Sequence, residues 1–269
     1  MSDQIMPADQ LTLVVDAAVA PLQAEPRAGS EQVSQTLAGH RLTCIERREP
    51  WLRVRAADGY EGWLHQGYLA AGSASTPRDS DVVGRISLGC VVRERTGRVR
   101  ALPLGAVLDC DAAVVRGDVV ASDTRAERFP RDGAAIARSA VELFEGTPYE
   151  WGGVTPWGAD CSGMVQAVFG LHGIPLPRDA RQQAEHGDSG PDILEQLGAG
   201  DLLFFSDRAD GRITHVGIAL GALRMVHLAL GRGGYRIELL TDEGDAYVTA
   251  LRERLRLTRR LVQPGQSRG

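Results

Sequence analysis

Apolar and polar positions alternate in short bursts over the first third of the chain, and turn residues separate the bursts. In "WLRVRAADGYEGWLHQGYL", Trp51, Leu52 and Val54 are followed by Asp58-Gly59 and then by Tyr60 and Trp63. That order predicts two strands joined at Asp-Gly, because the centre of a tight hairpin needs left-handed backbone that Asp and Gly tolerate. Upstream, "VSQTLAGHRLTCIERREP" predicts another strand pair. Small strands at this spacing point to a small barrel. "AGSASTPRDSD" is small and polar, as a linker would be. After it, "VVGRISLGCVVRERTGRVRALPLGAVLDC" returns to short β-like segments. This stretch, at 80–125, is either a second, degenerate barrel or a β-extension of the first, since it lacks the first barrel's tryptophan and Gly-Trp marks.

From Arg131 the period changes. "DGAAIARSAVELFEG" puts Ile136, Ala140 and Phe144 on one helical face, with Asp132 as N-cap and Gly146 as stop. A second helix is predicted from Cys161 to about Leu171. "GDLLFFS", "ITHVGIAL", "LRMVHLAL" and "YRIELL" are four predicted strands. Helices followed by an antiparallel sheet give an α+β class.

Composition narrows the function without naming it. With 269 residues, 43% hydrophobic and 24% charged, the chain is long enough for one large domain or two to three smaller ones of ordinary globular make-up. The net charge of −5 gives no electrostatic pull toward nucleic acid. No stretch approaches the roughly 18–20 apolar residues of a membrane span. The opening "MSDQIMPADQLTLVVDAAVAPL" lacks a basic start and carries Asp16 in its apolar run, so it does not read as a secretory signal. A cytoplasmic protein is expected if Met1 is the native start. Four cysteines far apart, with no C-x-x-C pair, argue against zinc or a disulfide framework, and no metal or other cofactor is expected. Cys44, Cys90 and Cys110 lie in β-like apolar runs, where cysteine serves as a small hydrophobe.

Cys161 differs. In "WGGVTPWGADCSGMVQAVFG" it stands where a glycine-rich loop becomes a helix, ahead of Met164, Val165, Val168 and Phe169. A thiol is mostly protonated at neutral pH, and a helix N-terminus with a nearby imidazole favours the thiolate. Two histidines fall in adjacent predicted strands, His215 and His227, with Gly221 midway between them. A hairpin centred on Gly221 opposes them directly, with Cβ atoms ~5 Å apart. Gly217 and Ala219 share the His215 face and leave space for a helix packed across it. His215 is then the base, His227 the residue that orients it, and the first N–H groups of the helix can hold a developing oxyanion. His40, His65, His172 and His186 are expected to be packed or exposed residues without a catalytic role. Cys161, His215 and His227 together point to a Cys-His hydrolase or acyltransferase.

"GTPYEWGGVTPWGADCSG", "THVGIAL" and "VHLALGRGGYRI" resemble the nucleophile block, histidine strand and third-polar-residue segment of the NlpC family of papain-like cysteine peptidases. The resemblance covers about 131–262, and "W-x-x-V…DGYEGWL" resembles bacterial SH3-like domains over 8–72. It implies a papain-like catalytic domain behind one or more SH3-like barrels, with Cys161 as nucleophile, His215 as base and His227 as orienting residue. Tyr149 matches a tyrosine that lines the site and assists the oxyanion, and Trp151 and Ser162 match substrate-site positions. "PLPRDARQQ" resembles the segment beside the pocket, which makes Asp179 a substrate-binding candidate, though Asp before "ARQQAEHG" also suits an N-cap. The family's usual serine after Arg-Asp is Ala180 here. The implied activity is hydrolysis of the γ-D-glutamyl-diamino acid bond of peptidoglycan stem peptides. The arrangement looks like that of endopeptidases of muropeptide recycling, where the barrel narrows the cleft and selects a free N-terminal L-alanine. On that likeness the first barrel is expected to close one end of the cleft and to bring Tyr68 to the substrate. The rival expectations are an inert wall-binding protein, and an amidase or acyltransferase using the same dyad.

Overall fold

The alternating segments fold as strands. The computed structural model describes residues 12–70, 84–108 and 112–262, and the chain divides into two compact units, Met1–Val119 and Val120–Gly269.

In the first unit, β1 (Thr12–Val14), β2 (Val19–Gln23), β3 (Gln32–Leu37), β4 (Arg41–Arg48), β5 (Trp51–Arg55) and β6 (Glu61–His65) form one sheet in the order β1-β4-β5-β6-β2-β3. Its inward positions, among them Leu13, Leu22, Leu42, Leu52, Val54 and Leu64, make one core. Strands β5 and β6 meet at the Asp58-Gly59 turn, where the Tyr60 N–H donates to Asp58 Oδ1 at 3.0 Å. The expected pair upstream is corrected: β3 and β4 both form, but β3 pairs with β2, and β4 lies between β1 and β5. The Ala38-Gly39-His40 link is therefore a crossover from the β3 edge to β4 rather than a hairpin.

The following segments form a sheet of their own. It comprises β7 (Arg85–Arg93), β8 (Val99–Leu102), β9 (Val107–Leu108) and β10 (Ala113–Ala121), in the order β10-β7-β8 with β9 on β7. It joins the first sheet where the Val107 N–H donates to Ala38 O at 2.9 Å and His40 Nε2 lies 3.1 Å from Gly105 O. Cys44 and Cys90 are buried in their strands, and Cys110 lies outside the described residues.

The second unit carries α1 (Arg125–Arg128) and α2 (Gly133–Phe144), then the β11 (Val154–Thr155) and β12 (Gly158–Ala159) hairpin. Next come α3 (Cys161–Leu171), α4 (Ala180–Gln183), β13 (Asp188–Ser189), β14 (Leu202–Phe205), β15 (His215–Gly221), β16 (Arg224–Ala229), β17 (Gly234–Leu239), α5 (Ala246–Glu253) and β18 (Leu255–Arg260). The fold is α+β, with a six-stranded antiparallel sheet in the order β13-β18-β14-β15-β16-β17. Asp132 caps α2 by accepting from the Ala135 N–H at 2.8 Å, and Ile136, Ala140 and Phe144 are fully buried along its inner face. Helix α3 packs on α2 and against β11, β15 and β16, and so sets its first turn beside the histidine strands. The four expected strands are consecutive neighbours. β18 went unpredicted and lies between β13 and β14.

The β15–β16 hairpin turns at Ala222-Leu223, both left-handed at φ 49° and 59°, and not at Gly221, which pairs with Arg224. The ladder runs through Ala219↔Met225 to Ile218↔Val226 and stops there. Continued, it would place Gly217 across from His227, so the two histidines are diagonal neighbours rather than opposed. The displacement is two residues, an even number, and their side chains stay on one face.

Candidate active site

The site is built around a buried carboxylate. Asp160 is the N-cap of α3: its Oδ1 accepts from the Gly163 N–H at 2.7 Å, and its Oδ2 accepts from the Gly152 N–H at 2.9 Å. Arg178, 2% exposed, faces it with two bonds of 3.0 and 2.6 Å and also donates to Ser162 Oγ at 2.8 Å. A charge this deep persists only when paired and hydrogen-bonded on all sides, as both partners are here. Gly163 must lack a side chain, because a Cβ there would run into the Gly153 carbonyl, and Gly152 is left-handed at φ 77°. The glycines of "WGGVTPWGADCSG" thus let the loop close over the helix start, and the Asp-Arg pair holds it there.

Cys161 follows Asp160 as the first residue of α3 and is 6% exposed. The Val216 N–H, from the residue after His215, lies close enough to its sulfur to favour the thiolate. The strand geometry explains this. Along β15 the N–H groups alternate sides. Ala219 donates toward β14, to Asp201 O at 2.7 Å, so Val216 donates toward β16, where the ladder has already stopped. The splayed end of the hairpin leaves one amide for the thiol.

His215 Nε2 and His227 Nδ1 face each other at 2.8 Å. His215 is half-buried and leans on the Phe205 ring, while His227 is completely buried. His227 Nε2 is 3.4 Å from Glu238 Oε1, long for a hydrogen bond but within ion-pair range, and makes no bond of good geometry. Glu238 takes bonds of 2.7 and 3.2 Å from Arg232, whose guanidinium also binds Asp245 and lies 4.3 Å over the Tyr247 ring. Asp245 in turn caps α5 through the Tyr247 N–H at 2.8 Å.

Burial works against the expected thiolate. Burial, followed by the Asp160 charge, pushes the Cys161 thiol up to about 12, against which the Val216 N–H, Arg178 and the Ser162 N–H weigh less. Burial, and secondarily His227, lowers His215 to about 3. Burial thus favours the neutral form of each group taken alone. The expected space beside His215 is also corrected. A Cβ on Gly217 would strike Met225, and Ala219 and Met225 pack with Leu240 and Leu251 of α5 rather than against α3.

The other expected residues are placed as follows. Tyr149 is half-buried, with its phenol pushed up by burial and then by the nearby Cys161, so it remains a hydrogen-bond donor. Trp151 is 59% exposed on the loop before α3. Ser162 is buried and its hydroxyl is engaged inward, donating to Asp160 Oδ1 at 3.1 Å and accepting from Arg178, so it is unavailable to substrate. Asp179 occupies the N-cap position of α4 but makes no side-chain cap bond. Tyr68 belongs to the first unit, where it packs on the barrel core and meets His65 edge-on. His40, His172, His65 and His186 bond to backbone or to a neighbouring hydroxyl. Among the described residues no group of three or more His, Cys, Asp or Glu could hold a metal.

Sequence reasoning missed Arg178, Glu238, Arg232 and Asp245. Arg178 sits in the quoted "PLPRDARQQ", and an arginine beside apolar residues is the one signal that pointed to it.

Comparison with known proteins matches this geometry to a family. The NlpC/P60 family model matches residues 146–250, and that of the bacterial dipeptidyl-peptidase SH3 domain matches 22–69. The γ-D-glutamyl-L-lysine dipeptidyl-peptidase of Bacillus subtilis is 30% identical over 228 residues, covering 77% of this chain and 75% of its own. The chain belongs to the NlpC/P60 family. It is therefore a cysteine peptidase with an SH3-like domain ahead of its catalytic domain. A second relative, dipeptidyl-peptidase 6 of Lysinibacillus sphaericus, is 28% identical over 269 residues, covering 88% of this chain and 94% of its own. The crystal structure of an NlpC/P60 family protein from Bacillus cereus has the same fold, with a TM-score of 0.76 at 19% identity over 94% of this chain and all of that one.

Proposed function

We propose that the chain hydrolyses the γ-D-glutamyl-diamino acid bond of peptidoglycan stem peptides that begin with a free L-alanine. The observation that carries the chemistry is Cys161 at the start of α3, a helix that packs against β15 and β16, together with the 2.8 Å His215–His227 contact on those strands. The Bacillus subtilis and Lysinibacillus sphaericus relatives, dipeptidyl-peptidases by name, support the substrate class.

Cys161 Sγ attacks the γ-carbonyl carbon while its proton passes to His215. The oxyanion takes hydrogen bonds from the N–H at the start of α3 and from the Tyr149 hydroxyl. The carbon–nitrogen bond then breaks, and the amine of the diamino acid leaves with the proton from His215. Water, deprotonated by His215, cleaves the thioester, releases the dipeptide and restores the thiol. His227 holds the imidazole in place throughout. Asp179 is the acid we assign to the substrate's α-ammonium group, because a buried ammonium needs an anionic partner.

Cleavage of L-Ala-γ-D-Glu-L-Lys followed by mass spectrometry tests this reading. The free peptide is expected to yield L-Ala-D-Glu and lysine, and Cys161→Ala none. Acetylating the alanine, or Asp179→Ala, should lower kcat/KM by about a hundredfold or more, the scale of an unpaired buried charge. Equal cleavage of free and acetylated peptides would overturn the N-terminal selection.

A further inference from the structure

We propose that Glu238 is a positioning residue that fixes which nitrogen of each active-site histidine carries hydrogen, and so keeps His215 able to accept the thiol proton. This rests on the roles given above to Cys161 and His215.

A neutral imidazole has one N–H and one lone pair. Across the 2.8 Å contact, one of His215 Nε2 and His227 Nδ1 donates and the other accepts. If His227 Nδ1 donates, neutral His215 carries its own hydrogen on Nδ1 and has no lone pair left for the thiol. If His215 Nε2 donates, its Nδ1 is free to take a proton, and His227 must carry hydrogen on Nε2. Only the second pattern permits catalysis, and the two rings alone do not select it.

The selection falls to the group that meets His227 Nε2. That nitrogen is sealed from solvent, and the charged group within reach is Glu238 Oε1 at 3.4 Å. An ionised carboxylate only accepts, so it favours hydrogen on Nε2. Glu238 is kept ionised: burial would raise its pKa, but His227 and Arg232 outweigh this and hold it below the usual carboxylate value. It is also held in place. Arg232 grips both oxygens, and Asp245 and the Tyr247 ring hold Arg232. Arg236, directly across from His227 on β17, is exposed to solvent. The carboxylate therefore acts two rings away from the sulfur.

A purely structural alternative is that Glu238, Arg232 and Asp245 only tie β17 to α5. Long-range proton–nitrogen spectra of the histidine rings in the full chain at neutral pH distinguish the two, because they show which nitrogen is protonated without reference to activity. Signals are assigned by their loss in His215→Ala and His227→Ala. The wild-type chain is expected to show both rings in the Nε2–H form. Glu238→Met should move His227 toward Nδ1–H and lower kcat at least about tenfold, the usual scale for removing an outer partner, with little change in KM. Glu238→Gln, which can still turn an oxygen toward His227, should keep both tautomers and most of kcat. His227 in the Nδ1–H form in the wild-type chain would overturn the proposal, as would unchanged tautomers in Glu238→Met. So would a Gln variant as slow as the Met variant with its tautomers intact. If the tautomers are as stated but the chain cleaves no stem peptide, the proposed function fails and this inference stands.

Discussion

At the scale of single residues, the informative side chain is a cysteine whose surroundings oppose its charge. A helix start and a nearby histidine suggest a standing thiolate, yet Cys161 is so enclosed that burial outweighs both. A thiol raised to about 12 is protonated through neutral pH, and its reactive fraction grows about tenfold per pH unit below that value. Alkylation of Cys161 by iodoacetamide should therefore accelerate steadily from pH 7 to 10. A rate already level by pH 7 would show a permanent thiolate–imidazolium pair and reverse this conclusion.

At the scale of elements, α3 depends on a pair of charges that never reach solvent. Arg178→Met would leave Asp160 buried without its partner, at a cost of about 3–5 kcal/mol. Chemical unfolding of the variant should show a loss of that order, and a loss below about 1 kcal/mol would mean the helix cap does not need the pair. How much of this was legible in the sequence depended on distance along the chain. Helices α2 and α3 were readable because cap, apolar face and stop lie within a dozen residues, as in Asp132 to Gly146. The histidine strands were readable from alternation, but their register was not, since Ala222-Leu223 carries no Gly or Asn to mark a left-handed turn. The partners of Asp160 and His227 were invisible because Arg178 and Glu238 reach them only through tertiary packing. Strand β18 alternates only at Leu255, Arg256 and Leu257, and the arginines around them mask its half-buried face.

At the scale of the whole molecule, buried histidines set the response to acid. Burial is the main cause that lowers the pKa of His40 in the first unit and of His172 and His215 in the second. The unfolded chain, with histidines near 6.5, binds protons first as pH falls, so the folded state is progressively penalised below that value. The denaturant midpoint should be lower at pH 5 than at pH 7.5, in a range where ordinary carboxylates are still ionised. A midpoint unchanged or higher at pH 5 would mean these histidines are already solvated. The left-handed tip of the β15–β16 hairpin bears on the same balance. L-residues resist that conformation by roughly 1–2 kcal/mol each, yet Ala222 and Leu223 both adopt it. The molecule thus operates below the heat resistance its fold would allow. A hardier form is one exposed substitution away, Ala222→Asn, at a position outside the catalytic groups.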